Sequence, residues 1–561
     1  MKQKLAAIIA AACKELFNIE PAVIVTRPDE EFGDYATNIA LQVAKDLHES
    51  PRAVAEKLTA TIQERASDTV SEVTIAGPGF INLRLRDQVL VDMQQLSPTQ
   101  ILQGKLIVTE YSDPNPFKVL HVGHLYTTIV GDAIARLLEA AGADIHRVNF
   151  GGDVGLHVAK SMWAIIRFLD GELPEKLQTV GDDPHARAAW LSTRYVEGNT
   201  AYETDDAAKA EIIAVNKRVY RLHTDDDHTS PFAQIYWTCR EWSYAYFKVL
   251  YDELQVKPFE KYYPESVTTP TGIATVQEQL QRGVYEKSDG AVVFNGEKYG
   301  LHTRVFINSQ GLPTYEAKDV GLIIQKWEDY HFDTSIVITA NDIVEYMKVV
   351  QKSIEQFNPE LTKRSKHITH GNIKMQGGAK MSSRKGNVLL ALDVLAEART
   401  ANHAMTSQDN EETVLGAIKY AFLKQRIGGD IVYDPKESVS LEGNSGPYLQ
   451  YAHARAKSIL RKANASRPGS EDFTDLEPDE RSLLRKLSEY SEVVDEAVTE
   501  CMPHHVCTYL YALAQSFNKF YERNRVIGDT REATRVALVT RYTEVLATGL
   551  QLLGIVAPDS M

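Results

Sequence analysis

Two histidines three residues apart, His121 and His124, flank Gly123 in the run Glu110-Tyr111-Ser112-Asp113-Pro114-Asn115-Pro116-Phe117-Lys118-Val119-Leu120-His121-Val122-Gly123-His124. The run joins an apolar strand to a helix. Side chains three apart at a helix start share one face. The unpaired backbone N–H groups there favour an anion, and a glycine between the imidazoles lets a ligand approach the backbone. Neutral imidazole donates hydrogen bonds without a formal charge, and Lys118 adds a cation just upstream. The chemistry these residues suit is holding the phosphates of ATP. Taken alone, the pattern is also that of a helix cap with surface histidines; its place after a buried strand favours the phosphate reading.

A second basic run, Lys380-Met381-Ser382-Ser383-Arg384-Lys385-Gly386-Asn387, follows a Gly377-Gly378 hinge far downstream. Cations on a loop can close over a charged leaving group and stabilise it as it forms. In isolation the run is equally a solvated basic turn or a surface patch for RNA. Two phosphate-handling loops so far apart imply one large nucleotide-activating fold.

The elements that must position these residues are legible as patterns. Leu106–Glu110 reads as a buried strand, and residues 121–141 as a helix stopped by Gly142. Residues 145–150 form the next strand, followed by Gly151-Gly152-Asp153-Val154-Gly155 and another helix; later strands fall at 335–340 and 367–370. Strand, helix, strand implies an α/β fold with a doubly wound parallel sheet, Rossmann-like, whose ligands sit at the carboxyl ends of the strands. Both histidines fall there, as do Gly152 and Asp153. The ATP-binding candidates are therefore His121, Gly123, His124, Gly152, Asp153, Lys380, Met381, Ser382 and Ser383, and the catalytic candidates His121, His124, Lys118 and Lys380.

Three domains are expected. Residues 1–100 read as an N-terminal α+β module, with helices over 2–17, 36–48 and 51–65, strands at 73–76 and 80–85, and a linker at 96–99. Residues 101–400 form the catalytic domain, interrupted by a polar helical insertion at about 171–265. Residues 401–561 read as an all-α C-terminal domain with a polar joint at 464–480.

Composition sets limits. The net charge of −15, from 61 basic and 76 acidic residues, argues against a general nucleic-acid coat but leaves room for local basic patches. Four cysteines in 561 residues make no disulfide framework and fit a reducing compartment, the cytoplasm. The start MKQKLAAIIAAAC has the look of a lipoprotein signal, but Leu5, Ile8, Ile9, Ala12 and Leu16 recur at helical spacing. No apolar run is long enough for a membrane span.

Together, the H-V-G-H and K-M-S-S segments match the two signature motifs of class I aminoacyl-tRNA synthetases. The flanking sequence resembles the arginyl-tRNA synthetase family throughout: residues 110–124, R-V-N-F-G-G-D-V-G at 147–155, L-P-T-Y-E-A-K-D at 312–319, E-G-N-S-G-P-Y-L-Q-Y-A-H-A-R at 442–455 and L-L-G-I-V-A-P-D-S-M at 552–561. F-G-D-Y-A-T-N at 32–38 and G-P-G-F-I-N at 77–82 resemble its N-terminal module. The resemblance implies an enzyme that attaches L-arginine to AMP, releasing pyrophosphate, and then passes the aminoacyl group to the terminal ribose of tRNA(Arg). It implies ATP with Mg²⁺, no protein nucleophile, and bound tRNA for the first step. Catalysis is then positioning and charge stabilisation.

The resemblance also assigns residues. His121 and His124 meet the phosphates, His121 also lies near the amino-acid carboxylate, and Lys380 stabilises departing pyrophosphate. A planar guanidinium calls for carboxylates in forked geometry, which the family match places at Glu265 and Asp319, supported by Tyr315. Asn115 and Glu110 would hold the ammonium end. Phe80 and Asn82 would meet the tRNA elbow, and Tyr448, Tyr451 and Arg455 the anticodon region, where tyrosines stack on bases and arginine pairs with phosphate. Core packing is the plainer reading of any one of these tyrosines.

Two departures stand out. The family's usual glutamine after the strand at 335–340 falls by count on Ile343, behind Asn341 and Asp342, and the usual aromatic after Gly-Asp is Val154. Cys501-Met502-Pro503-His504-His505-Val506-Cys507 holds four metal-ligand types at poor spacing, and a helix start at Pro503 is the better reading. No metal site on protein ligands alone and a monomer are expected. The alternatives are another adenylate-forming enzyme of this fold, a non-catalytic tRNA-binding paralogue, and a class I synthetase for a different amino acid; the last is disfavoured by the lack of a large editing insertion and of C-x-x-C pairs.

Overall fold

The computed structural model describes residues 1–93, 99–376, 389–463 and 475–561. The second basic run, with Lys380, Met381, Ser382 and Ser383, lies outside the described residues.

A five-stranded parallel sheet holds the centre, in the order Ser365–His370, Thr334–Ala340, Leu106–Glu110, Asp144–Gly151, Lys261–Pro264. The chain starts in the middle, at Leu106–Glu110, builds outward to one side and then to the other. The order therefore reverses between Leu106–Glu110 and Thr334–Ala340, and a crevice opens at the carboxyl ends of these two strands. Four of the five strands lie where the apolar runs put them. Lys261–Pro264 is a correction: it falls within the span read as helical insertion, yet it pairs with Asp144–Gly151 as an edge strand. A separate three-stranded antiparallel sheet, Glu286–Ser288, Ala291–Phe294 and Arg304–Ile307, was also not expected.

The insertion is helical, as read, over Pro184–Thr204, Asp206–Thr224 and Pro231–Glu253. It buries a core of its own, including Leu191, Ile212, Val219, Phe232 and Tyr236. The helices Glu265–Gln281 and Tyr315–Tyr330 pack unusually close. A Cβ on Gly272 would lie 2.0 Å from the Ala317 carbonyl oxygen, and one on Gly321 would lie 2.2 Å from that of Thr268. Only glycine fits at either crossing point, and the close approach brings Glu265 against Lys318.

In the N-terminal module, Lys2–Phe17 and Pro51–Arg65 cover an antiparallel sheet ordered Val25–Thr26, Tyr35–Thr37, Phe80–Leu85, Val70–Ala76. The helix expected over 36–48 is replaced by the strand Tyr35–Thr37 and a short helix, Ile39–Val43. Tyr35, Ala36 and Thr37 are all buried and pair with residues 81–83, so strand pairing overrides local preference. The C-terminal part is helical from Ala391–Thr406 to Glu532–Leu552, apart from Ile431–Tyr433, which pairs in parallel with Ile373–Met375.

The first module is clasped to the C-terminal helices by ion pairs. Arg481 reaches the fully buried Asp34 at 2.7 Å, Arg485 reaches the same carboxylate at 3.3 Å, and Arg27 reaches Glu492 at 3.3 Å. Removing one partner of a buried pair strands the other charge and costs about 3–5 kcal/mol, whereas an exposed pair is worth about 1 kcal/mol or less. Arg481→Ala should therefore move the first urea-unfolding transition to clearly lower denaturant, while Lys57→Ala, which breaks the exposed Lys57–Glu49 pair, leaves it nearly in place. Equal shifts in the two variants would contradict the clasp.

Candidate active site

The helix Val122–Ala140 starts at the crevice with His121 as its N-cap. His121 Nδ1 accepts from the Gly123 N–H at 3.0 Å, and the His121 N–H donates to His124 Nδ1 at 3.3 Å. The two rings lie 3.8 Å apart, tilted by 34°. Gly123 is needed here, because a Cβ would sit 2.8 Å from His121 Cε1. Burial, reinforced by Lys118, pushes the His121 imidazolium down to about 4. Burial, then His121 and Lys118, drives His124 well below its usual range. Both rings are thus neutral near pH 7. With each Nδ1 used as an acceptor, each proton resides on Nε2. The result is a pair of uncharged N–H donors at a helix start that favours anions.

The approach to this helix is contorted. Ser112, Asp113 and Phe117 have φ of 75°, 49° and 68°. Each such residue costs on the order of 1–3 kcal/mol, and such strain clusters at functional sites. Tertiary bonds hold the loop: Phe117 N–H donates to Ser243 Oγ at 2.9 Å, and Phe150 N–H donates to Asp113 Oδ1 at 2.8 Å. The chain leaving the second basic run docks on the same motif, with the Val122 N–H donating to the Leu389 carbonyl at 2.9 Å and the Ala391 N–H to that of Leu120 at 3.0 Å.

Below the crevice lie buried carboxylates. Glu110 ends the central strand and is bonded to the buried Lys326. Glu265 opens its helix directly after Lys261–Pro264 and pairs with Lys318 at 2.5 Å. Asp319 is buried on the helix Tyr315–Tyr330 and has no ion-pair partner among the described residues; burial, then Glu110 and Glu265, pushes its carboxyl well above the usual range. Tyr315 shares its face and is 60% exposed, so its ring is open to a ligand. Asn115 Oδ1 accepts from the Gly152 N–H at 2.9 Å. A Cβ on Gly152 would meet that oxygen at 2.5 Å and Glu265 Oε1 at 3.2 Å, so Asn115, Gly152 and Glu265 converge.

Other candidates are placed differently. Asp153 is fully buried and turned inward, accepting from the Ser266 N–H at 2.9 Å, Ser266 Oγ at 2.7 Å and Arg240 Nε at 3.1 Å, so it braces the start of the Glu265 helix. Lys118 lies 4.2 Å over the Tyr195 ring of the insertion, and burial with Lys160 lowers its amine to about 8. Phe80 is exposed, whereas Asn82 is buried in its strand. Tyr451 and Arg455 are exposed one turn apart on the helix Gly446–Lys462, with the Arg455 guanidinium 4.9 Å over Tyr521; Tyr448 is half-buried and its hydroxyl accepts from Asn518 at 2.9 Å. Asn341–Ile343 forms a single 3₁₀ turn after its strand. Cys501 and Cys507 are buried thiols, and Pro503 caps the helix His504–Arg523 as expected. Among the described residues, the one group with metal-ligand spacing is Glu496, Glu500 and His505, which excludes both cysteines.

The sequence reading missed Asp113, Lys318, Lys326 and His157. His157 Nε2–H donates to the Gly152 carbonyl at 2.6 Å and so supports the glycine turn. A lysine beside a carboxylate in a helix gives no periodic signal, and only the fold reveals the pairing.

A parallel sheet of this order, with a neutral histidine pair at a helix start on its switch point, is the architecture of a class I tRNA synthetase. The family model for tRNA synthetases class I (R), catalytic domain, matches residues 86–434; the Arginyl tRNA synthetase N terminal domain matches 2–85, and the DALR anticodon binding domain 449–561. The arginine–tRNA ligase of Thermobifida fusca is 33% identical, with 96% of this chain and 95% of that protein covered. That of Porphyromonas gingivalis is 29% identical over 100% of this chain and 99% of its own length. The solved Thermus thermophilus arginyl-tRNA synthetase superposes with a TM-score of 0.81 at 25% identity, over 100% of both chains. The chain belongs to the arginyl-tRNA synthetase family.

The tautomers are directly measurable. Nitrogen-15 histidine spectra should show His121 and His124 as Nε2–H tautomers, with His121 unprotonated until about pH 4. A folded value depressed below 6.5 adds stability that is present above 6.5 and is lost as pH falls toward 4. A midpoint near 6.5 for either ring would contradict the geometry.

Proposed function

We propose that this chain uses ATP to join L-arginine to tRNA(Arg) through an arginyl-adenylate. The amino-acid carboxylate attacks the α-phosphorus in line, the bond to the β-phosphate oxygen breaks, and pyrophosphate leaves. A terminal ribose hydroxyl of the tRNA then attacks the aminoacyl carbonyl and releases AMP. His121 and His124 donate their Nε2–H groups to phosphate oxygens, and Lys380 receives the departing charge. The observation that carries the reading is the neutral histidine pair at a helix start on the switch point of the parallel sheet, in a fold that also buries an acid, Asp319, with no cation of its own among the described residues.

Asp319 and Glu265 take the guanidinium, Tyr315 covers it, and Asn115 orients the ammonium end. Glu110 acts from below through Lys326, and Asp153 and Gly152 shape the turn under the nucleotide. Mg²⁺ arrives on the triphosphate, its usual carrier. Phe80, Tyr451 and Arg455 present accessible surfaces to tRNA. We divide the chain into a tRNA-contacting module at 1–100, a catalytic domain at 101–400 and an anticodon-binding domain at 401–561, working as a monomer in the cytoplasm.

The direct test is aminoacylation of total tRNA with each of the twenty amino acids, which should yield arginine esters alone; charging by any other amino acid would overturn the reading. Asp319→Asn should raise the KM for arginine about 10- to 100-fold, the worth of a hydrogen bond to a charged group, and leave that for ATP within about twofold. An equal rise for both substrates would contradict the assignment.

A further inference from the structure

Of the carboxylates buried under the crevice, two hold a lysine of this chain. Glu110 holds Lys326, Glu265 holds Lys318, and Asp319 holds none among the described residues. Lys318 is buried on the helix Tyr315–Tyr330. Its ammonium lies 2.5 Å from Glu265 Oε2, and both side chains are 4% exposed. The same ammonium is 5.2 Å from the Tyr315 ring and 5.8 Å from that of Tyr220, a residue of the insertion. A Cβ on Gly155 would come within 3.7 Å of it. Burial opposes its charge, but Glu265 and Tyr220 outweigh that and raise the amine above its ordinary value. Lys318 is thus a buried cation fixed on Glu265, one residue before Asp319 in the chain.

We propose that Lys318 is a specificity-determining residue, a resident ammonium that occupies Glu265 and so denies that carboxylate to the ammonium of free lysine. The inference rests on the reading that Glu265 and Asp319 receive the substrate side chain. Guanidinium is a planar fork with five donors and weak hydration, so it can reach Asp319 and the second oxygen of Glu265 together while Lys318 keeps the first. That second oxygen, Oε1, lies 3.2 Å from where a Cβ on Gly152 would sit, whereas Lys318 donates to Oε2. An ammonium is a compact, strongly hydrated point charge. It would have to give up its water for one acid, with a like charge already beside the other. Without Lys318, Glu265 becomes a buried carboxylate open to any cation.

The test compares Lys318→Gln, Lys318→Met and Lys318→Arg with the wild type, measuring kcat/KM for arginine and for lysine in tRNA charging. In the Gln and Met variants kcat/KM for lysine should rise, and the arginine-to-lysine ratio should fall about 10- to 100-fold, the factor expected when a buried charged partner is exchanged. In Lys318→Arg, which keeps the cation, the ratio should stay near the wild-type value. Arginine-dependent thermal shifts report that each variant is folded. Lys318→Gln, close in size and still able to donate to Glu265, decides the matter if the Met variant does not fold. A structural role alone lowers both rates together and leaves the ratio unchanged, which would overturn the proposal. So would an equal fall of the ratio in Lys318→Arg. Failure of the wild type itself to charge arginine would instead overturn the underlying reading.

Discussion

Two imidazoles must stay uncharged at the start of one helix, and most of the architecture around them serves that condition. His121 and His124 spend their Nδ1 atoms on backbone N–H groups of their own turn. That leaves each Nε2–H pointing outward as a fixed donor. Burial and Lys118 disfavour a protonated ring at both positions, His121 adds to this at His124, and at His121 they outweigh the opposing pull of Asp342. Neutral donors bind a polyanion without demanding a large desolvation of charge.

The second requirement is charge balance beneath the crevice. A buried ionised carboxylate is costly unless paired, and here two lysines on one helix pair with acids from elsewhere in the fold. Lys326 crosses to the central strand, and Lys318 crosses to the start of the neighbouring helix. The glycine contact between those helices, at Gly272 and Gly321, makes the second pairing possible. Asp319 sits on the same helix turn as Lys318 and has no ion-pair partner among the described residues.

How much of this could be read from the chain depends on range. The histidine turn, four of the five central strands and the helices at 2–17 and 51–65 carry local signals, apolar runs or helical spacing, and they emerged from the sequence. Lys261–Pro264 did not, because a short edge strand of Lys-Tyr-Tyr-Pro with one buried side chain resembles a loop. Tyr35–Thr37 was masked by alanine and leucine that suit a helix. The ion pairs Lys318–Glu265 and Lys326–Glu110 span 53 and 216 residues, and no local pattern foretells a contact across such distances. Asn82 and Asp153, polar side chains in family-like motifs, are buried, and Asp153 braces the start of the Glu265 helix.

A structure with a non-hydrolysable ATP analogue tests the central claim most directly. The account predicts that Nε2 of both His121 and His124 lies within about 3.2 Å of phosphate oxygens, with the two Nδ1 contacts inside the turn unbroken. Phosphates seated elsewhere, or either ring reversed so that Nδ1 faces the nucleotide, would contradict it.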